Sequence, residues 1–499
     1  MQKIATLVSS KKFFYGVVAL LVIQALWIAL SGRYPMAFDE DFHLGIIRLY
    51  ARHISPFWVT QPTHSDMFGA VYRDPSYLYH YLMSFPYRLI SLFVHGQTGQ
   101  VMALRLVNIA MFATSLPLLR RLLLHTGASR TLAHIVLAFF VLLPITPFLA
   151  AQINYDNLFV PLVALVLLLA VRFNNELARY GRLNIKLFAV LAVTCLLASL
   201  VKYAFLPVFI ALVLYEAVLF YYYLGRKRKF WKTVWFGLTL ISRRMRWLLI
   251  GLLLVSSVLF VERYGVNLAR YHEPVPDCVQ VLSIQRCSSY APWLRDYIFA
   301  SQKGQNLHGP LGFTNDWLYG MWFRTFFAVD GPGTNFETRG PLLLPGLSAI
   351  VLFAGGLLAL IVKFREVSRR YNRLEIYLLI VVTGWYVALL WFDEYKSYLH
   401  AGMPVAINGR YLLPVLVPLM VLLAMGYSEV LRRHDSIKAV IVCAGLLCFL
   451  WGGGVLTFIL RSRDAWYWPN TPMTSMNESL QRGLYHVVPG ANNPIQFLR

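Results

Sequence analysis

Roughly eleven apolar runs punctuate this chain of 499 residues, each close to the ~20 residues a helix needs to cross a bilayer. They lie near 13–30, 101–122, 131–150, 157–173, 187–203, 205–224, 247–262, 342–362, 375–392, 411–428 and 437–460. In hydrocarbon every backbone N–H and C=O must find its partner inside the protein, so runs of this kind become helices. Composition decides between buried core helices and membrane spans. Hydrophobic residues are 58% and charged residues 14% of the chain, and mean hydropathy is +0.56, where a soluble domain would carry about a quarter charged residues. The expected fold class is an all-α polytopic membrane protein with about 11 transmembrane helices.

The net charge of +23 raises nucleic acid as a partner, and its placement argues against it. Lys3, Lys11 and Lys12 precede the first run, which has no small-residue cleavage site behind it and reads as a retained span. With the N-terminus cytoplasmic, the same side collects Arg120/Arg121/Arg130, Arg172/Arg179/Arg182/Lys186, Arg226-Lys227-Arg228-Lys229, Arg243-Arg244-Met245-Arg246, Lys363–Arg373 and Arg432/Arg433. The positive-inside bias is then met loop by loop. The charge reports topology and contact with anionic lipid, not nucleic acid. Trp231–Leu240, apolar but short, is expected to lie on the interface. The expected arrangement is a module over 1–460 with outer loops 31–100 and 263–340, and an extracytoplasmic tail over 461–499, in the cell (plasma or inner) membrane.

The outer side then holds most of the acidic residues, and three stand together in Phe38-Asp39-Glu40-Asp41-Phe42-His43. Charges where a chain leaves the membrane are costly unless water, a partner or a substrate compensates them. The residues that follow have helical periodicity: Phe42, Ile46, Ile47, Leu49 and Tyr50 share one side, Asp41, Arg48 and Arg52 the other. This predicts a helix in the interface plane. Asp39 can serve as the N-cap of that helix, and it shares a face with His43 four residues on. Asp39, Glu40 and His43 leave a divalent cation open as a cofactor, although three adjacent polar residues are no metal signature.

Other polar residues gather at the same expected face. Asp156 in Asn154-Tyr155-Asp156-Asn157 opens a span and can cap it; Lys202 ends another, against the charge bias; Arg410 sits in Asn408-Gly409-Arg410-Tyr411-Leu412-Leu413-Pro414. A guanidinium there suits a phosphate, because its donors form a fork. Arg73-Asp74-Pro75 with Tyr77, Tyr79 and His80 adds a polar-aromatic cluster, and Trp293, Tyr297, Trp317, Tyr319, Trp322 and Phe326 make the second loop aromatic. Such rings anchor a chain at the interface or stack on a sugar. Cys278 and Cys287, nine apart in that loop, are a disulfide candidate in an oxidising compartment, while Cys195, Cys443 and Cys448 fall in spans as packing residues. There is no CxxC pair, no HExxH and no P-loop, so zinc and nucleotide sites have no support. No paired internal repeat speaks for a transporter.

These stretches resemble the GT-C superfamily of polytopic glycosyltransferases, most of all the group of bacterial aminoarabinose transferases and protein mannosyltransferases. The likeness rests on Phe38-Asp39-Glu40-Asp41 with Ser55-Pro56-Phe57-Trp58-Val59-Thr60, on Arg73-Asp74-Pro75-Ser76-Tyr77-Leu78-Tyr79, on Asn154-Tyr155-Asp156 with Val201-Lys202-Tyr203, and on Gly409-Arg410-Tyr411-Leu412-Leu413-Pro414. The resemblance implies a GT-C-like fold with interfacial helices in the first outer loop. It implies inverting transfer of a sugar from a polyprenyl-phosphate-linked donor to a glycan, lipid or protein acceptor. Asp39 would be the base with Glu40 in reserve, and Lys202 and Arg410 would hold the donor phosphate. Asp156, Arg73, Tyr77, Tyr79 and Tyr411 would meet the substrate. The alternative from another class is a lipid-linked glycan flippase without chemistry. It would want charges near the bilayer midplane, where Glu216 is the acid that fits.

Overall fold

The structure is a computed structural model that describes residues 2–225, 235, 237–239, 241–304, 307–326, 340–405 and 407–491. The Arg226–Lys229 cluster, most of the Trp231–Leu240 segment, and parts of the second loop and of the tail lie outside these. The described residues form helices joined by short turns, with a single isolated bridge, Gly32 to Tyr467. Among the described residues nine helices are long and apolar enough to cross a membrane: Lys11–Ser31, Gln97–His125, Asp156–Tyr180, Tyr203–Tyr223, Arg243–Tyr271, Leu343–Arg370, Arg373–Ala401, Gly409–Val430 and Asp435–Arg461. The two remaining expected spans hold the shorter apolar helices Arg130–Leu142 and Ile185–Val201.

Local chemistry sets the ends of these helices. Ser10 accepts from the Phe13 amide and opens Lys11–Ser31. Asn184 does the same for Leu187 and opens Ile185–Val201. The tight turn after that helix is made by one extended residue, Lys202 (φ −154°, ψ 124°), before a 3₁₀ turn and Pro207 start the next helix. A cation is thereby fixed at the mouth of the bundle by the backbone itself. Gly426 lets two spans touch, since a Cβ there would meet the Leu360 amide nitrogen at 2.6 Å.

The Asp156–Tyr180 helix is the hub. In its most apolar stretch 78% of residues are buried, against 11% for Arg243–Tyr271 and 11% for Leu343–Arg370. The enclosed helix packs against protein on every side and the other two offer their flanks to lipid. Asp156 is the first residue of the enclosed helix, so the sequence carries a carboxylate into the core at one end of the bundle.

That end also receives both long loops. Residues 31–100 contain the helices Glu40–Ala51 and Leu78–Phe93. As the periodicity predicts, Ile46, Ile47 and Tyr50 of the first are buried and Asp41 is exposed. Arg73 ties this loop to the C-terminal end of the Arg243–Tyr271 helix: its Nε donates to Asn267 at 2.8 Å and its Nη1 pairs with Glu262 at 3.0 Å. Arg286 pairs with Asp66 at 2.6 Å. Cys278 and Cys287 are joined in a disulfide that staples two four-residue helices. The tail joins the same end: the Arg33 amide donates to Trp466 O at 2.7 Å and Trp27 Nε1 to Asn477 Oδ1 at 2.8 Å.

Candidate functional site

The start of the Glu40–Ala51 helix is held in an uncommon backbone state. Phe38 (φ 67°) and Asp39 (φ 68°) are both left-handed, which costs about 1–3 kcal/mol for each non-glycine residue unless its surroundings impose it. The surroundings here are specific. Phe38 O accepts from Asn154 Nδ2 at 2.9 Å and from Arg410 Nη1 at 3.2 Å. The Phe38 ring lies under the Arg410 guanidinium, 4.9 Å from its carbon, and edge-on to Phe148. Asp39 occupies the N-cap position without a side-chain capping bond. Its carboxylate turns to Arg410 Nη2 at 3.1 Å and stays 56% exposed, while the arginine is 8% exposed. An open carboxylate thus stands on a rigid, strained step beside a buried cation.

Arg410 comes from a 3₁₀ turn, Gly409–Leu412, that Asn408 caps by accepting from the Arg410 amide at 3.0 Å. Gly409 is obligatory for that approach, because a Cβ would fall 2.6 Å from the Thr325 amide nitrogen. The Arg410 Nε is buried without a partner.

The second cation lies in the same cluster. Lys202 Nζ pairs with Asp156 Oδ1 at 2.6 Å, both side chains buried. It faces the rings of Tyr155 at 4.4 Å, Tyr411 at 5.2 Å and Phe159 at 5.6 Å, an aromatic cage that holds an ammonium by its ring faces. Tyr411 also caps Arg410, with its Oη 3.4 Å from Nη2. Asp156 Oδ2 is buried and unpartnered. Asp39, Asp156, Lys202, Arg410 and Tyr411 are therefore brought together from four stretches of chain, with donor and acceptor valences left open.

Glu40 goes elsewhere. It is fully buried, and Arg105 clasps it in a fork, Nε to Oε1 at 2.8 Å and Nη2 to Oε2 at 2.7 Å. The amides of Met36 and Ile153 fill its remaining lone pairs at 2.8 and 3.2 Å. With every valence spent, Glu40 is a fastener and not a free acid. His43 likewise turns from Asp39 to His80, Nδ1 to Nε2 at 2.9 Å. Burial first, then His80 and the two cations, hold the His43 pKa well below its usual value; burial lowers that of His80 to about 3. Both rings are neutral, and Asp39, Glu40 and His43 do not converge on one point. Among the described residues no group of three His, Cys, Asp or Glu side chains is arranged to hold a metal ion.

The remaining expected residues are structural neighbours of the centre. Arg73 is spent on the loop joint. Tyr77 is buried under Arg263, 4.8 Å from the ring. Tyr79 donates to Asn108 Oδ1 at 2.7 Å, which also accepts from Asn157 at 3.1 Å. Arg105 is the residue that sequence reasoning missed. Its signal is a cation inside an apolar run, which must have an internal partner. Tyr290 is a second: it delivers the stapled loop onto Phe42, ring centres 6.1 Å apart.

No family model and no curated protein matches this chain. Among solved structures it is similar to the oligosaccharyltransferase of Archaeoglobus fulgidus in the apo form, at 13% identity and a TM-score of 0.45, covering 98% of this chain and 62% of that one. The archaeal oligosaccharyltransferase AglB from the same organism, in complex with an inhibitory peptide and a dolichol-phosphate, gives the same figures: 13% identity, TM-score 0.45, 98% and 62% coverage. This chain spans about three fifths of the length of those proteins.

Proposed function

We propose that this protein is an inverting glycosyltransferase that moves a sugar from a polyprenyl-phosphate-linked donor to an acceptor hydroxyl at the Asp39 face of the membrane. The observation that carries the reading is the pairing of an exposed carboxylate, Asp39, with buried Arg410 at 3.1 Å, beside a caged Lys202.

Inversion needs one base and one stabilised leaving group, with no second, nucleophilic carboxylate. In the step, the acceptor oxygen bonds to the anomeric carbon as the carbon–phosphate oxygen bond breaks. The acceptor proton passes to Asp39, and the electron pair leaves on polyprenyl phosphate. The developing charge meets fixed cations, worth most in a site closed to water. Arg410 and Lys202 supply them. Asp39 occupies in advance the Nη2 donor that a phosphate oxygen would take. Donor binding would then free the carboxylate next to the sugar it must serve. Asp156 neutralises Lys202 before the donor arrives and keeps it pointed into the site. The strained backbone at Phe38-Asp39 fixes the base so that it need not be ordered during the reaction.

The test uses the full chain in lipid nanodiscs with a labelled polyprenyl-phosphate sugar and an acceptor lipid extract. The expected result is acceptor-dependent release of polyprenyl phosphate and a product of inverted anomeric configuration. A product of retained configuration would overturn the mechanism, and movement of the intact donor between leaflets without release would replace the enzyme with a flippase.

A further inference from the structure

At the far end of the Glu40–Ala51 helix, roughly 12 Å along its axis from Glu40, three arginines line one open pocket. Arg48, Ala51, Arg52, Tyr87, Arg88 and Ser91 surround about 400 Å³. Two of the guanidiniums are built in. Arg88 donates through Nε to Ala51 O at 2.9 Å and through Nη2 to Tyr50 O and His53 O at 2.8 and 2.7 Å, closing the carbonyl end of the helix. Arg48 Nε donates to Tyr87 Oη at 3.3 Å, and that hydroxyl donates on to Gln100 at 3.2 Å. Arg52 is exposed. Among the described residues no carboxylate pairs with any of the three. Asp41, the acid on the same face, lies two helical turns away. Three cations held together without a counter-ion cost repulsion that an anion would relieve.

The neighbouring surface says where the anion comes from. On the Leu78–Phe93 helix, Leu82, Phe85, Leu89, Leu92 and Phe93 form one stripe about 100° wide, and all are exposed, up to 77% for Phe93. Arg88 flanks this stripe and Tyr87 and Ser91 follow it round the helix. An apolar helix face edged by arginines is built to lie in acyl chains with the cations at headgroup depth. Charge and apolar surface thus call for the two ends of one molecule.

We infer that this pocket binds the phosphate of an anionic phospholipid in the leaflet on the Asp39 side, with its chains against Leu82, Phe85, Leu89, Leu92 and Phe93. The site is separate from the Asp39–Arg410 centre and stands whether or not that centre is catalytic. It would hold the first loop at a fixed depth.

The test is photocrosslinking of the full chain in nanodiscs with diazirine-bearing phosphatidylglycerol or phosphatidylcholine, mapped to the peptide covering residues 82–93. With phosphatidylglycerol, labelling of that peptide is expected to exceed labelling by phosphatidylcholine roughly tenfold or more, from about a fivefold gain per surface arginine. Arg48→Gln with Arg52→Gln should bring it down to the phosphatidylcholine level, and Arg48→Lys with Arg52→Lys should restore part of it. Arg88 is left alone because it closes a helix. Equal labelling by the two lipids, or full labelling in the folded glutamine variant, would overturn the proposal. If the glutamine variant does not fold, weaker labelling in the lysine variant supports it and unchanged wild-type labelling in 1 M salt overturns it. Inorganic phosphate that competes fully at millimolar concentration would make this a free-phosphate site, and the lipid assignment would fall.

Discussion

Asp39 and Glu40 are neighbours in sequence, and each meets an arginine, yet the two pairs are opposites. Glu40 and Arg105 are both 0% exposed, and the carboxylate is saturated by the guanidinium fork and two amides. Asp39 and Arg410 share one contact, half of the carboxylate faces solvent, and Arg410 Nε has no partner. The first pair has nothing left to give a substrate. The second is held by the fold but incomplete, and so is Lys202–Asp156 beside it. Here the unfilled valence, not the charge, separates a fastener from a site. The polar cost of each arrangement is compensated differently: the sealed pair by its own hydrogen bonds, the open pairs by water or ligand.

Breaking the sealed pair should give the largest effect on stability. Glu40→Gln or Arg105→Met leaves a buried partner uncompensated, and about 3–5 kcal/mol should be lost. Thermal melting of the purified protein reads this as a large drop in midpoint or as failure to accumulate in the membrane. Wild-type melting in either variant would mean that the pair does not fasten the loop.

Breaking the second group of pairs should cost ligand: Arg410→Ala leaves Asp39 in water and spares the fold, whereas Lys202→Ala also leaves buried Asp156 uncompensated and lowers stability. Arg410→Ala and Lys202→Ala each remove charge-assisted contacts of about 1.5–3 kcal/mol, so donor affinity should fall by roughly 10- to 150-fold. Titration of the labelled donor into nanodiscs checks this. Undiminished donor affinity in both folded variants would take the cations out of the phosphate site.

The His43–His80 pair sharpens the comparison, because it packs beside Tyr155 of the candidate site and is buried like Glu40. Both histidines have folded pKa values below the usual 6.5. The unfolded chain therefore binds protons near pH 6.5 that the folded chain refuses. Stability present above that pH is lost as pH falls, down to about 3 for His80. The slope should reach up to about 1.4 kcal/mol per pH unit for each ring. Melting from pH 7 to pH 5 should show it, and His80→Gln should flatten the profile. A flat wild-type profile would place these rings in contact with water.

The smallest effect is expected at Tyr411→Phe. Its hydroxyl meets Arg410 at 3.4 Å, a weak contact, while the ring that faces Lys202 is kept. Donor affinity should change by less than about threefold; a tenfold loss would show that the hydroxyl itself touches substrate.

Much of this was legible in the sequence and some was not, for reasons of distance along the chain. The spans could be read because hydrocarbon imposes its length on each run. The Glu40–Ala51 helix could be read because its periodicity is local. Asp39, Lys202 and Arg410 could be singled out because each breaks a charge expectation at a span end. Their pairing could not: Asp39 and Arg410 are 371 residues apart, and Lys202 and Asp156 are 46 apart. Glu40 reads from sequence as a reserve base behind Asp39 because its partner lies 65 residues away, inside a run read only as apolar. Arg73 reads from sequence as a substrate ligand, because the C-terminal end of the Arg243–Tyr271 helix, which brings Glu262 and Asn267 against it, is distant in the chain. Sequence fixes which groups are costly to bury. Tertiary contact decides which of them are left wanting a ligand.

The most direct measurement is sugar transfer by Asp39→Asn, with donor affinity and melting recorded on the same preparation. Asparagine keeps the size of the side chain, tolerates the left-handed backbone and cannot take the acceptor proton. Donor affinity and melting should stay near those of the wild type, and transfer should fall by about 10²-fold or more, the scale of a lost general base. Near-full transfer by the folded Asp39→Asn protein would contradict it.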